Sequence, residues 1–554
     1  MGKIVKKTRK VLSAMPPFFK KKKPIKIKSK KEHDTPEEGA KVVRPIGDSL
    51  PDNLELIKQK TGKSTDVVIS QFILQTQPEH KAAVIFVEGI ADSKMINDFL
   101  LESMLNHQTV LEKVPTSDPI EFLSQKVLAL AGVKKMTDWD ELFLALMSGD
   151  TIILVDGSST ALSASTRGGK QRSVEEPGSQ VTVRGPRDGF TESIRTNTAL
   201  VRRRIQNPDL WVETMKIGNV TKTDVSIMYI KGIAKEEIVG EVRKRLKNIK
   251  IDSILESGYI EQLIEDQALT TFPTLYHTER PDIVAGNVLE GRVAIFVNGT
   301  PFVLIAPAVF IQFFQSVEDY YGRADIGTAL RFLRLLIFFI SIIAPATYIA
   351  GTTFHQEMIP TQLLIAIAAQ RETVPFPAYI EALVMEVAFE ILREAGVRMP
   401  RAVGSAISIV GALVIGQAAV QAGIVSPAMV IVVAITAIAN FATPSFPIAI
   451  SSRLIRFIFM VAAATFGFYG IMLGILILVI HLCSLRSFGI PYLSPLAPVI
   501  PANLGDTIVR LPLWAQKKRP VLTTQGDDLR VGENQKPNPP KNRDMINKKA
   551  KKGD

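Results

Sequence analysis

The chain has one cysteine, Cys483, in 554 residues. That excludes an intramolecular disulfide and any cysteine-built metal cluster. Histidine is nearly as scarce, and His33, His80, His107, His277, His355 and His481 never fall within one helical turn of each other, so no HExxH-type spacing exists. Gly168-Gly169-Lys170 lacks the GxxxxGK[ST] frame of a phosphate loop. Nowhere does a nucleophile stand beside a base at a recognisable spacing. These absences argue against an enzyme and against a bound metal or cofactor. The N-terminus also lacks a secretory signal: Val11 to Phe19 is too short and proline-broken, and Lys20 to Lys23 follows at once. A cytosolic soluble domain is therefore expected.

The most informative absence is charge. Between Ala402 and Ser452 there is no Asp, Glu, Lys, Arg or His. About 20 apolar residues carry a helix across the hydrocarbon core, so this run is long enough for two crossings. The expected spans are about 335–354, 402–423, 427–449 and 457–480 within a transmembrane region of 331–515. The interrupted stretch 361–392 reads as an interfacial pair, a re-entrant element or an extra polar crossing. The basic excess sits at the two ends. Met1 to Lys31 carries 13 Lys/Arg and no acid, and Lys517 to Asp554 carries 11 against 5 Asp/Glu. Such tails beside membrane spans are read as attracted to anionic lipid rather than to nucleic acid, and as disordered arms over 1–50 and 516–554.

What the sequence does contain before the spans is a duplication. Ile85-Phe-Val-Glu-Gly89-Ile-Ala91 and Met228-Tyr-Ile-Lys-Gly232-Ile-Ala234 are strands meeting Gly-Ile-Ala and then a helical pattern. Thr151 to Val155 runs into Asp156-Gly157, and Val293 to Val297 runs into Asn298-Gly299, each a hairpin signal. The fold class expected is an α/β soluble domain of two repeated subdomains (51–210 with its linker, and 211–307) followed by an all-α polytopic transmembrane bundle. Ala294 to Phe314 is hydrophobic but holds Asn-Gly-Thr-Pro, which no lipid-exposed helix tolerates. It reads as a hairpin followed by an amphipathic interfacial helix within 308–330, with Val309, Phe310, Phe313, Phe314, Val317 and Tyr321 on one face.

Candidate functional residues fall into two groups. Arg184, Arg187 and Asp188, ahead of a helix bearing Arg202-Arg203-Arg204, form a candidate subunit contact. In the apolar half, Glu386 and Glu390 are one turn apart and share a helix face, with Glu381 pointing elsewhere; Gln417 and Gln421 are likewise one turn apart. Polar groups at membrane depth face a bundle interior or water, so these four are candidates for an ion path or for interhelical polar contacts.

Several of these motifs carry a resemblance. Arg184-Gly-Pro-Arg-Asp-Gly-Phe190 with Arg195-Thr-Asn197, Glu290-Gly-Arg292 leading to Asn298-Gly-Thr-Pro301, Val374-Pro-Phe-Pro377 with Glu381, Met385-Glu-Val-Ala-Phe-Glu390 and Ile415-Gly-Gln-Ala-Ala-Val-Gln421 resemble the GerA-type A subunit of bacterial spore germinant receptors. Asp188 stands where that pattern has Glu, and the basic tails lie outside it. The resemblance implies a multi-pass subunit of the spore inner membrane. It further implies assembly with a permease-like B subunit and a lipoprotein C subunit, and homo-oligomerisation into an ion-release channel. A stand-alone transporter would require a repeat among the spans, which is not seen. A passive membrane scaffold would not require polar residues at membrane depth.

Overall fold

The computed structural model describes residues 44–74, 80–97, 120, 123, 132–168, 176–178, 180–398, 416–526 and 529–538. Helix α1 (Leu50–Lys60) opens the fold, with Pro51 in its first turn and Leu50, Leu54 and Ile57 turned inward at helical spacing. Strands β1 (Val67–Leu74), β2 (His80–Val87), β3 (Val133–Met136), β4 (Thr151–Val155) and β5 (Ala161–Ala164) form an antiparallel sheet in the order β1-β2-β4-β5-β3. Helix α2 (Trp139–Met147) packs on it through Leu142 and Leu146. A second sheet repeats that order. It comprises β6 (Leu210–Ile217), β7 (Thr223–Ile230), β8 (Tyr276–Thr278), β9 (Val293–Val297) and β10 (Val303–Ala306), ordered β6-β7-β9-β10-β8.

The two glycines that end β4 and β9 explain the shared hairpins. Gly157 has φ +81° and Gly299 has φ +97°, backbone that favours residues without a Cβ. Around the second sheet lie α3 (Ile194–Arg202), α4 (Glu236–Asn248), α5 (Ser257–Ile264) and α6 (Pro281–Leu289). The sheets are joined at one corner. Thr65 N donates to Val212 O at 3.0 Å, and Lys60 ion-pairs with Asp209 at 2.8 Å. Arg202, almost fully buried, forms an ion pair with Asp66, its Nη2 donating to Oδ1 at 2.9 Å.

Residues 308–330 depart from the single amphipathic helix expected. Phe310–Phe314 is a 3₁₀ turn, Glu318–Tyr321 a single α-helical turn, and helix α7 starts at Ala324. The phenylalanines are not on an interfacial face. Phe310, Phe313 and Phe314 are buried against Phe338 and Tyr492, with the Phe314 and Phe338 rings 5.1 Å apart. Aromatic pairing inside a core outweighs the helical periodicity that the sequence suggested.

The apolar region consists of α7 (Ala324–Thr353), α8 (Thr361–Arg371), α9 (Ala378–Arg398), a segment from Gly416 to Gln421, α10 (Pro427–Phe441) and α11 (Phe446–Ser484). Of these, α7 and α11 are long and apolar enough to cross a membrane, and α10 is shorter. Most of the span expected at 402–423 lies outside the described residues. The span expected at 457–480 is not one straight helix. At Gly467 the backbone is non-helical, with φ 60° and ψ −141°. A straight helix would hold Ser451 and His481 about 45 Å apart. Instead Ser451 donates to Thr271 O, and His481 Nε2 lies 3.0 Å from Thr270 Oγ1. A Cβ on Gly470 would strike the carbonyl of Ala462, and one on Gly474 would press on the Phe459 ring. Thus α11 is a helical hairpin with its tip at Gly467, packed beside Phe354 and His355 at the end of α7.

These contacts orient the helices. The near end of the bundle abuts the second α/β subdomain, where α7 begins and both hairpin arms are rooted. Arg331 is held there by Asp319 at 3.0 Å and Asp506 at 2.9 Å. The far end carries the hairpin tip. Beyond Ser484 the chain returns to the second subdomain: Ser487 Oγ donates to Thr274 O at 2.6 Å and Tyr492 Oη to Pro273 O at 2.7 Å. In the segment expected as a solvated tail from 516, Thr523 Oγ1 donates to Glu290 O at 2.7 Å, Gln525 N donates to Ile233 O at 2.8 Å, and Arg530 ion-pairs with Glu290. Basic composition misleads here because Arg530 finds the partly buried acid Glu290.

Candidate functional site

Pro345 sits inside α7 and has no N–H to give the carbonyl of Ser341. That carbonyl accepts instead from Arg456 Nε at 2.6 Å. The other side of the same guanidinium meets Glu386, Nη1 to Oε2, at 2.5 Å. Glu386 and Arg456 are both nearly inaccessible, at 1% and 3% exposed. One turn along, Glu390 Oε2 pairs with Arg453 Nη1 at 2.7 Å, and Glu390 Oε1 lies 3.6 Å from Arg393 Nη1. Arg393 Nη2 donates to Asn440 Oδ1 at 2.7 Å. Asn440 Nδ2 donates in turn to Ala449 O and to Ser452 Oγ, both at 3.0 Å.

The result is a ladder of ion pairs joining α7, α9, α10 and the first arm of α11. It holds three arginines against two glutamates. Glu386 Oε1, Arg453 Nε and Arg456 Nη2 are buried without hydrogen-bond partners among the described residues. Removing one member of such a buried pair leaves a charge that nothing neutralises, so the ladder fixes helix positions strongly. The shared face of Glu386 and Glu390 follows from their spacing. Local spacing does not reveal their partners Arg453 and Arg456, since the pairing spans more than sixty residues of sequence.

Glu381 does point elsewhere. Fully buried at the far end, it accepts from Ser426 N at 2.5 Å and also from Ser426 Oγ, while Tyr348 Oη lies 3.3 Å from Ser426 Oγ. Ser426 is the N-cap of α10, so a carboxylate from α9 sits at the positive end of that helix. Its Oε2 lies 3.8 Å from Arg371 Nε. The Ser-Pro start of α10 signals the cap in sequence; the glutamate that completes it does not appear there.

Gln417 and Gln421 are exposed and make no hydrogen bond to the ladder among the described residues, so the four candidate polar residues do not form one group. Arg184 and Arg187 are also exposed, with Arg187 3.1 Å from Glu176. Asp188 is drawn inward to Arg204, 2.6 Å from Nη2 to Oδ1. Their loop is pinned from below: Arg280 donates to Pro186 O at 2.9 Å, and Gly185, at φ +141°, lies under Tyr321 where a Cβ would come within 2.6 Å of the ring.

A second charged junction joins the domain to the bundle. Asp319, inaccessible to solvent, lies between Arg331 at 3.0 Å and Arg334 at 2.9 Å. Asp506 takes Arg331 and Tyr320 Oη, each at 2.9 Å. Burial, and then the Glu290 carboxylate, push the Asp506 carboxyl above its ordinary range. Among the described residues no group of three or more His, Cys, Asp or Glu is placed to hold a metal ion.

Comparison with known proteins agrees with the motifs. Residues 55–522 match the family described as Bacillus/Clostridium GerA spore germination protein. The chain is 59% identical to spore germination protein KA of Bacillus subtilis (strain 168) over 92% of its own length and 93% of that protein's. It is 45% identical to the uncharacterized membrane protein YfkQ of the same organism, covering 89% and 95%, and 40% identical to spore germination protein GerLA of Bacillus cereus, covering 86% and 96%. Among solved structures, the N-terminal domain of the A subunit of the Bacillus megaterium spore germinant receptor GerK3 is 51% identical, covering 49% of this chain and 100% of that one, with a TM-score of 0.40. The chain belongs to the GerA family of spore germination proteins.

Proposed function

We propose that this chain is the A subunit of a nutrient germinant receptor in the spore inner membrane, a non-enzymatic subunit that provides the path for ion release. In this reading it assembles with a permease-like B subunit, which senses the nutrient, and a lipoprotein C subunit, and several copies surround the path. Its family membership and its 59% identity to a spore germination protein support the role in germination.

The observation that carries the release role is the Glu386–Arg456 and Glu390–Arg453 ladder. Ionised groups inside an apolar bundle are costly and tend to mark ion pathways. Because each glutamate is already paired, the ladder acts as a closure that locks α9 to the α11 hairpin. Breaking it frees the helices to part. In the membrane, α7, a span at 402–423 and the first hairpin arm run outward, while α9, α10 and the second arm return. Six crossings keep the α/β subdomains and the C-terminal segment together on the cytosolic face. The exposed Arg184 and Arg187, with Asp188 behind them, remain the proposed contact between subunits.

Reconstitution into liposomes tests this. Efflux of trapped cations should appear when the chain is combined with its partner subunits and nutrient. Absence of any efflux from a fully assembled complex would favour a passive scaffold, and nutrient-independent efflux of a single solute class would favour a stand-alone transporter.

A further inference from the structure

Where the C-terminal segment lies across the second subdomain, it forms one side of a partly open cavity of about 140 Å³. One wall carries Glu290 and Arg292, at the turn into β9. The other carries Asp506, Lys517, Lys518 and Arg530. The two acids are already engaged: Glu290 pairs with Arg530, and Asp506 takes Arg331 and Tyr320. Arg530 Nη1 also lies 3.9 Å from Asp506.

Arg292 is the exception. It is 7% exposed, its Nη1 donates to the neutral Asn287 Oδ1 at 2.8 Å, and its Nε has no partner. Among the described residues it forms no ion pair. Glu290 and Asp506 lie in the same walls but neither touches it, and a guanidinium withdrawn from water with no carboxylate in direct contact is expensive, while its planar fork matches a carboxylate or phosphate. The volume is about ten times what one water needs, yet below the roughly 300 Å³ at which sites for drug-sized ligands begin.

We propose that this cavity is a binding site for a small free anion of phosphate or carboxylate chemistry, held by Arg292. The exposed Lys517 and Lys518 add positive charge at the rim, and Arg530 offsets Glu290. The walls come from two parts of the chain, and Asp506 links one of them to Arg331 at the start of α7. An occupied site therefore ties the second subdomain to the first long helix.

The test uses the full chain purified in phospholipid-free detergent, titrated at constant ionic strength with inorganic phosphate or acetate against chloride. Saturable binding by calorimetry, with a rising Tm, is expected for at least one of the two anions. Arg292→Gln should weaken it about tenfold or more, the loss of a hydrogen bond to a charged group. Hydrogen exchange on the wild-type chain supplies a readout independent of any variant: the anion should slow exchange at 287–293 and 503–526. No saturable binding, equal affinity in a folded Arg292→Gln chain, or protection confined to other regions would overturn the proposal. So would stabilisation that appears only in phosphatidylglycerol nanodiscs, which would assign the site to a lipid headgroup.

Discussion

Arg456 reaches across to Ser341 and supplies, at 2.6 Å, the hydrogen bond that Pro345 denies that carbonyl. A proline inside one helix and an arginine on another are thereby parts of one device. With Pro345→Ala the helix would supply its own N–H to Ser341. A double-mutant cycle of Pro345→Ala with Arg456→Met, followed by thermal unfolding in detergent, should show a coupling of about 1–3 kcal/mol, because the methionine leaves an orphan carbonyl only when proline is present. Simple additivity would show that the contact contributes nothing.

The turn at Gly467 admits no side chain. Its φ is 60°, and a Cβ would lie 2.6 Å from His355 Cε1. Gly467→Ala should destabilise the chain by about 1–3 kcal/mol, read as a lower Tm. Gly240→Ala, in α4 with open space where its Cβ would go, should have the opposite sign, at about 0.5–1 kcal/mol. Equal effects at the two positions would refute the hairpin.

Much of this was legible in the sequence, and the limit is physical. Asp156-Gly157 and Asn298-Gly299 announce their hairpins because turn geometry is local. Gly467 is silent because one glycine in an apolar run costs a helix little on paper. Likewise, the face shared by Glu386 and Glu390 follows from helical spacing, but Arg453 and Arg456 become their partners only through helix packing. The contacts of Thr523 and Arg530 are hidden by the composition around them, since a basic stretch reads as solvated until an acid such as Glu290 is brought beside it.

Return of the chain to its starting side is checked by labelling. In a Cys483→Ser background, cysteines replacing Val183 and Val499, 93% and 68% exposed, should resist a membrane-impermeant maleimide in intact cells and react after permeabilisation. A cysteine replacing Met358, 71% exposed at the far end, should react from outside. Opposite accessibility of Val183 and Val499 would mean an odd number of crossings.

Glu261 in α5 predicts a pH effect. Burial, with Glu265 and Glu256 adding to it, raises its carboxyl from 4.5 to about 7. A carboxyl with a raised folded-state pKa favours the folded chain while protonated, so its contribution is complete below 4.5 and is lost as pH rises through about 7. The Tm of the wild-type chain should fall across that window relative to Glu261→Gln. Parallel profiles for the two chains would show that Glu261 titrates normally.

The most direct test of the release role is ion release from spores carrying Glu386→Leu together with Arg456→Met. Replacing both partners by apolar residues avoids the unpaired charge that would cost about 3–5 kcal/mol and endanger the protein level. If the ladder is the closure, spores with normal amounts of this chain should release cations without nutrient, while germination by nutrient-independent routes stays unchanged. Nutrient-dependent release with wild-type kinetics, from spores holding normal amounts of the double variant, would contradict the account.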